Sequence, residues 1–220
     1  MIAFMPFKKI SGFYPIIDTS LIAVSGVDNA ARAVVEGGAE IIQLRCKEIS
    51  AREFIKIAMA IKLAACKNNV LLIINDRVDI AILAGADGVH LGQDDLPIED
   101  ARRILGEGKI IGVSTHNMDE AVIAAQKGAD YISFGPIFST ITKKDAQEPK
   151  GVEKLMEVKG RVKIPVVAIG GITLENAAEV YRAGADSTAV ISGLLKSSDI
   201  KGRVRRFITI YEKCTNNSRL

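Results

Sequence analysis

The chain has 220 residues, 48% hydrophobic and 25% charged, enough apolar material for a large core and the wrong balance for a disordered chain. Its 29 basic residues exceed 26 acidic ones by only three, and they are scattered apart from Lys201, Arg203, Arg205 and Arg206, which argues against a nucleic-acid footprint. No apolar run approaches the roughly 20 residues that span a bilayer, and the apolar start, Met1 to Phe7, lacks the leading charge and cleavage pattern of a signal peptide. Cys46, Cys66 and Cys214 are odd in number, far apart and without C-x-x-C spacing, so they suggest neither a disulfide frame nor a zinc site and fit a reducing cytoplasm.

The first strand is expected at Phe13 to Ile17. A helix-exit motif then recurs along the chain, as Gly38-Ala39-Glu40, Gly85-Ala86-Asp87, Gly128-Ala129-Asp130 and Gly184-Ala185-Asp186. Glycine just past a helix supplies the left-handed cap, and the short apolar runs that follow, IIQL, GVHL, YISF and STAV, read as buried parallel strands. The motifs recur at about twice the length of a minimal βα unit, which predicts one further strand between each pair. These fall at Leu71 to Ile74, Ile110 to Val113 and Val166 to Ile169. Between strands lie helical patterns such as Arg52 to Lys67, with N-caps expected at Ser50, Asn117 and Thr173. Eight strands in strict alternation with helices predict one (β/α)8 TIM-barrel domain spanning residues 1–220, with its active site at the C-terminal ends of the strands. The absence of a G-x-G-x-x-G turn after the first strand weakens a Rossmann reading.

Side chains alternate along a strand, so in IIQLRCK the residues Gln43, Arg45 and Lys47 share one face while Leu44 and Cys46 share the other. Asp76 follows strand 3 and Asp95 follows strand 4, close enough on neighbouring strands for both to serve one hard cation. Taken singly, each aspartate also fits a helix cap, Asp76 for helix 3 and Asp95 for the helix near Pro97. Strand 5 leads into Ser114, a ligand contact or a turn residue, and His116, a candidate acid-base group; His90 reads as a hydrogen-bonded strand histidine. Gly170-Gly171 after strand 7 and Ser192-Gly193 after strand 8 stand where barrels often cradle a phosphate. The longest non-periodic stretch, Ser139 to Lys150, follows strand 6, and its length and position suggest a functional loop.

These stretches together resemble the thiamine phosphate synthase family from about Tyr14 to the last helix. The matching pieces are QLRCK (43 to 47), IIND (73 to 76), GVHLGQDD (88 to 95), GVSTH (112 to 116), GPIFSTITKKD (135 to 145) and AIGGI (168 to 172). The resemblance implies a transferase joining an aminopyrimidine diphosphate to a thiazole phosphate with Mg2+. By it, Gln43, Leu44, Arg45, Cys46, Lys47, Asn75 and Lys143 hold the pyrimidine diphosphate, and Asp76 and Asp95 bind Mg2+. Ser114 touches the pyrimidine, while Thr140, Ile141 and Thr142, with Gly171, Ile191 and Ser192, contact the thiazole phosphate. Arg45, Lys47 and Lys143 are the implied charge stabilisers. Two positions depart from the family pattern: Cys46 stands where an acidic residue is common, and Ser187-Thr188 replaces a usual Gly-Val. The rival readings are a thiazole tautomerase on the same barrel, using a histidine such as His116, and a non-catalytic phosphate-ligand binding protein. No nucleic-acid or membrane partner is expected, and homo-oligomer formation stays open.

Overall fold

The computed structural model describes residues 10–140 and 148–216. Eight parallel strands, β1 (Gly12–Asp18), β2 (Ile41–Arg45), β3 (Leu71–Asn75), β4 (Gly88–Leu91), β5 (Ile110–Thr115), β6 (Tyr131–Phe134), β7 (Val166–Ile169) and β8 (Ser187–Val190), close into a barrel in chain order. Closure is made by β1 lying beside β8, with Gly12 opposite Ser187 and Tyr14 opposite Ala189. Around the barrel run α1 (Val27–Glu36), α2 (Ala51–Lys67), α3 (Val78–Leu83), α4 (Ile98–Leu105), α5 (Met118–Gln126), α6 (Gly151–Arg161), α7 (Ala177–Arg182), the short α8 (Ser192–Leu195) and α9 (Ile200–Asn216). No helix among the described residues is long and apolar enough to cross a membrane.

Each of the four motif glycines, Gly38, Gly85, Gly128 and Gly184, has positive φ, the backbone state that ends a helix cheaply only at glycine. In three of the four motifs the residue two positions later is an aspartate, and it has a second task. Asp87, Asp130 and Asp186 each accept a backbone N–H from the preceding strand, at Leu72, Ile111 and Val166. Each also pairs with a cation from the helix that leads into that strand, respectively Lys62 of α2, Arg102 of α4 and Lys159 of α6. One carboxylate thus ties strand, helix and next strand together at the N-terminal end of the barrel, three times over. A charge-assisted bond of this kind is stronger than a neutral one.

Ser50 and Asn117 cap α2 and α5 as expected, accepting from the N–H groups of Glu53 and Glu120. Thr173 does not cap a helix in the expected place: α7 begins only at Ala177, with Asn176 at the cap position, and Asn176 Oδ1 accepts from the Thr173 N–H instead. Asparagine competes well for a local N–H in a turn, so the chain forms a turn before the helix starts. The two hydroxyls of β8 are satisfied locally. Ser187 donates to the Gly12 carbonyl at 2.7 Å, and Thr188 meets the Tyr181 hydroxyl at 2.7 Å.

The triple clamp makes a specific prediction. Asp130→Ala leaves the buried Ile111 N–H without an acceptor and Arg102 without its carboxylate, a loss of about 2 kcal/mol. Urea unfolding should show the midpoint falling with the slope unchanged; a midpoint at the wild-type value would remove the clamp from the stability account.

Candidate active site

The register of the parallel pairs decides which residues share the barrel interior. Tyr14, Ile16 and Asp18 on β1 lie level with one parity of β2, since Ile16 pairs with Gln43 and Asp18 with Arg45. The same parity continues through Gln43 to Ile73, Asn75 to His90, His90 to Gly112, and Gly112 to Tyr131. Leu44, on the opposite parity, is fully buried in the outer core, and Cys46 packs partly against that core. Burial pushes the Cys46 thiol up to about 12, helped by the nearby charges of Asp18 and Glu53 and opposed by a hydrogen bond with Thr19. The side chains of Leu44 and Cys46 therefore face away from the interior, and contact from these two positions falls to the backbone.

At the C-terminal rim the polar residues of β1 to β4 meet. Arg45 Nη1 lies 2.6 Å from Asp18 Oδ2, with side chains only 17% and 2% exposed. Asp18 also accepts from the backbone N–H and hydroxyl of Ser20, so its carboxylate is anchored before the arginine arrives. Asp18 escaped the sequence reading because the apolar run of β1 was taken to end at Ile17. The available signal was an acid on the first strand level with a cation on the second. Lys47 Nζ lies 2.6 Å from Asp76 Oδ2 and is the more exposed of that pair.

Asp76 has φ of +63°, a left-handed state that aspartate tolerates better than most residues but still at some cost. Its N–H donates to the His90 carbonyl at 2.8 Å, which holds the residue in that state where β3 leaves the barrel beside β4. Its carboxylate meets both Lys47 and Asp95. Asp95 accepts from the Gly92 N–H at 2.7 Å. Neither aspartate caps a helix: the cap positions of α3 and α4 are Arg77 and Pro97, and neither helix start has a side-chain cap bond.

The two carboxyls are unlike. Burial raises the Asp95 carboxyl above the ordinary carboxylate range, and the charge of Asp76 adds to that rise against the opposing Gly92 N–H. Burial also acts upward on Asp76 as the largest single effect. The hydrogen bonds of Lys47 and Asp95 and the charges of Lys47 and Arg45 together outweigh it, so its carboxyl lies below its ordinary value. The two carboxyls are thus pushed apart, Asp95 being the readier of the two to take up a proton and Asp76 the more firmly ionised. Among the described residues no group of three or more His, Cys, Asp or Glu side chains gathers as a metal cage.

Deeper in the barrel, His90 bridges strands. Its Nδ1 is 2.9 Å from the Tyr131 hydroxyl, and its Nε2 is 3.0 Å from Ser114 Oγ and 3.3 Å from Ser133 Oγ. It is thus the hydrogen-bonded strand histidine that its position suggested. His116, the other histidine, sits at the start of α5 with Nδ1 3.0 Å from Glu120 Oε2, which also accepts its backbone N–H.

On the far side of the rim, Gly170 and Gly171 both have positive φ. A Cβ on Gly170 would lie 2.5 Å from Pro136, and one on Gly171 would lie 2.6 Å from the Ser139 carbonyl. These glycines let the segment after β6 pack against the end of β7, where Ile137 and Phe138 donate to the carbonyls of Ile169 and Gly170. That close approach is what the packing requires of them. Thr140 is the last described residue before position 148. Ile191 and Ser192 form the entry to α8. Ile141, Thr142 and Lys143 lie outside the described residues.

The model of the family described as thiamine monophosphate synthase matches residues 13–194. The chain is similar to the thiamine-phosphate synthase of Methanosarcina barkeri (strain Fusaro / DSM 804), 46% identical over 201 residues that cover 91% of this chain and 90% of the relative. It is equally similar, 46% identical over 197 residues, to the thiamine-phosphate synthase of Clostridium novyi (strain NT), covering 90% and 97% of the two chains. Among solved structures, the thiamine phosphate pyrophosphorylase from Pyrococcus furiosus superposes with a TM-score of 0.85 at 39% identity, over 92% of this chain and 96% of that one. With the family match running through all eight strands, the chain belongs to the thiamine monophosphate synthase family.

Proposed function

We infer that the chain is a transferase making thiamine phosphate, and we propose how its residues divide the work. The observation that carries the assignment of roles is the meeting of Lys47, Asp76 and Asp95 at one rim, beside the buried Arg45–Asp18 pair. In the reaction the bond between the exocyclic CH2 of the aminopyrimidine and the diphosphate oxygen breaks, and the thiazole ring nitrogen bonds to that carbon. The electron-rich pyrimidine stabilises positive charge at the CH2, so the demanding part is the charge that grows on the departing diphosphate. The thiazole nitrogen already holds a lone pair, so neither a protein nucleophile nor a strong general base is required.

Asp76 and Asp95 are the proposed ligands for Mg2+. The donor set fits: magnesium is commonly held by one or two carboxylates, with water and substrate phosphate completing its shell, and this rim sets two aspartates side by side at adjacent strand ends. When bound, Mg2+ supplies positive charge to the diphosphate oxygens. Lys47 is placed to pass from Asp76 to the diphosphate, and Arg45, kept oriented by Asp18, adds a second fixed cation. Fixed charges in a site built before substrate arrives stabilise developing charge without reorganisation. Gln43, Asn75 and Ser114 are proposed to face the pyrimidine diphosphate, together with the backbone at Leu44 and Cys46. Lys143 is assigned to the diphosphate as a third cation, while Thr140, Ile141, Thr142, Gly171, Ile191 and Ser192 are assigned to the thiazole phosphate. The carboxylate pair favours this reading over the tautomerase and the phosphate-binding alternatives, neither of which has a use for it.

Incubation with both substrates and Mg2+ should release thiamine phosphate and diphosphate in equal amounts, and chelation of the metal should stop it. Conversion of a thiazole isomer without metal would instead establish the tautomerase, and binding without turnover the third reading. Asp18→Asn keeps the shape but removes the charge that orients Arg45. It should lower kcat/KM for the pyrimidine diphosphate about ten-fold, equal to about 1.4 kcal/mol of barrier, with KM for the thiazole phosphate unchanged; equal losses for both substrates would show that Asp18 acts only on stability.

A further inference from the structure

Barrel interiors of this kind are filled mainly by branched aliphatic side chains. Here a line of polar groups crosses from one wall to the other. Gln43 Nε2 donates to the Tyr14 hydroxyl at 3.1 Å, and the Tyr14 and Tyr131 hydroxyls are 2.7 Å apart. Tyr131 reaches His90 Nδ1 at 2.9 Å, and His90 Nε2 reaches Ser114 Oγ at 3.0 Å. Five strands contribute, β1, β2, β4, β5 and β6. Tyr14, Gln43, His90 and Tyr131 are all buried. The line is also built for: a Cβ at Gly112 would lie 2.0 Å from the Tyr131 ring, so the glycine of the Gly-Val-Ser-Thr-His stretch is what admits that ring to the interior.

Each hydroxyl in such a line can donate only once, so the direction set at the Gln43 end carries through to the other. With the Gln43 amide donating to Tyr14, the Tyr14 proton goes to Tyr131, and the Tyr131 proton goes to His90 Nδ1. Neutral His90 then carries its proton on Nε2 and donates chiefly to Ser114 Oγ at 3.0 Å, with Ser133 Oγ farther away at 3.3 Å. Ser114 Oγ, accepting from His90, keeps its own proton to donate outward, and Gln43 Oε1 is left as an acceptor at the other end. Burial raises both phenols well above the ordinary tyrosine range, so neither breaks the line by ionising.

We propose that Tyr14 and Tyr131 are positioning residues that determine specificity. Tyr14 holds the Gln43 amide with its Oε1 turned out as an acceptor, and Tyr131, through the tautomer of His90, leaves Ser114 a donor, the pattern that suits an aminopyrimidine and opposes its oxo counterpart. An amino group beside a ring nitrogen offers a donor and an acceptor; an oxo group beside a ring N–H offers the reverse. A site whose polar groups would face unpaired partners discriminates strongly. This proposal rests on the reading that the pyrimidine lies against Gln43 and Ser114.

The test uses the full-length protein with 15N-histidine, which carries only two histidines, and the variants Tyr131→Phe and Tyr14→Phe. In the wild type, NMR should find His90 neutral with its proton on Nε2. In Tyr131→Phe, the Nδ1 resonance should shift as its hydroxyl donor is lost, and kcat/KM for the aminopyrimidine diphosphate should fall at least ten-fold, with KM for the thiazole phosphate unchanged. Tyr14→Phe interrupts the line one step further away and should lower kcat/KM in the same sense. A proton on His90 Nδ1 in the wild type would overturn the proposal, as would unchanged kcat/KM in both variants. A wild type without synthase turnover would sink the functional reading instead, while the tautomer measurement would still report on the line.

Discussion

A lysine and two aspartates from three successive strand ends converge on one point of the barrel rim, and the rest of the account depends on that contact. Lys47 lies 2.6 Å from Asp76, and Asp76 meets Asp95. Such a grouping is possible because adjacent parallel strands lie about 5 Å apart and because Asp76 accepts a left-handed backbone, held by its N–H bond to the His90 carbonyl. An ion pair this exposed contributes little to folding. Its place at a costly backbone conformation fits the binding role proposed for it.

The barrel separates its tasks by end. At the N-terminal end, Asp87, Asp130 and Asp186 are consumed by structure, each tied to a backbone N–H and a helix cation. At the C-terminal end, Asp18, Asp76 and Asp95 face cations or each other around the opening. The same residue type thus stabilises the fold at one end and equips the site at the other. Conserving energy at the clamps leaves room for strain and like-charge proximity at the rim, which is where barrels carry their chemistry.

Much of the fold could be read from the chain because a Gly-Ala pair followed by an acid marks every second helix exit, and glycine at that position reports a backbone angle directly. The parity of Gln43, Arg45 and Lys47 was readable for the same reason, since a strand alternates strictly. What stayed hidden depends on contacts between strands. Asp18 finds Arg45 only through the register of β1 against β2. Tyr14 and Tyr131 count as apolar residues in a strand pattern, and their hydroxyls acquire meaning only when the barrel closes and brings them within 2.7 Å. The turn before α7 escaped because two neighbouring polar residues compete for one cap and sequence alone does not rank them. Gly170 and Gly171 suggested a phosphate cradle, while the structure first requires them for the close packing of the segment after β6.

The central claim is that the rim binds diphosphate through a divalent cation held by Asp76 and Asp95. Calorimetric titration of inorganic pyrophosphate into the protein, with and without Mg2+, tests it most directly. The account predicts binding that strengthens at least ten-fold with Mg2+ in the wild type and loses that dependence in Asp76→Ala and Asp95→Ala. The same affinity with and without the metal, or a metal dependence that survives both substitutions, would contradict it.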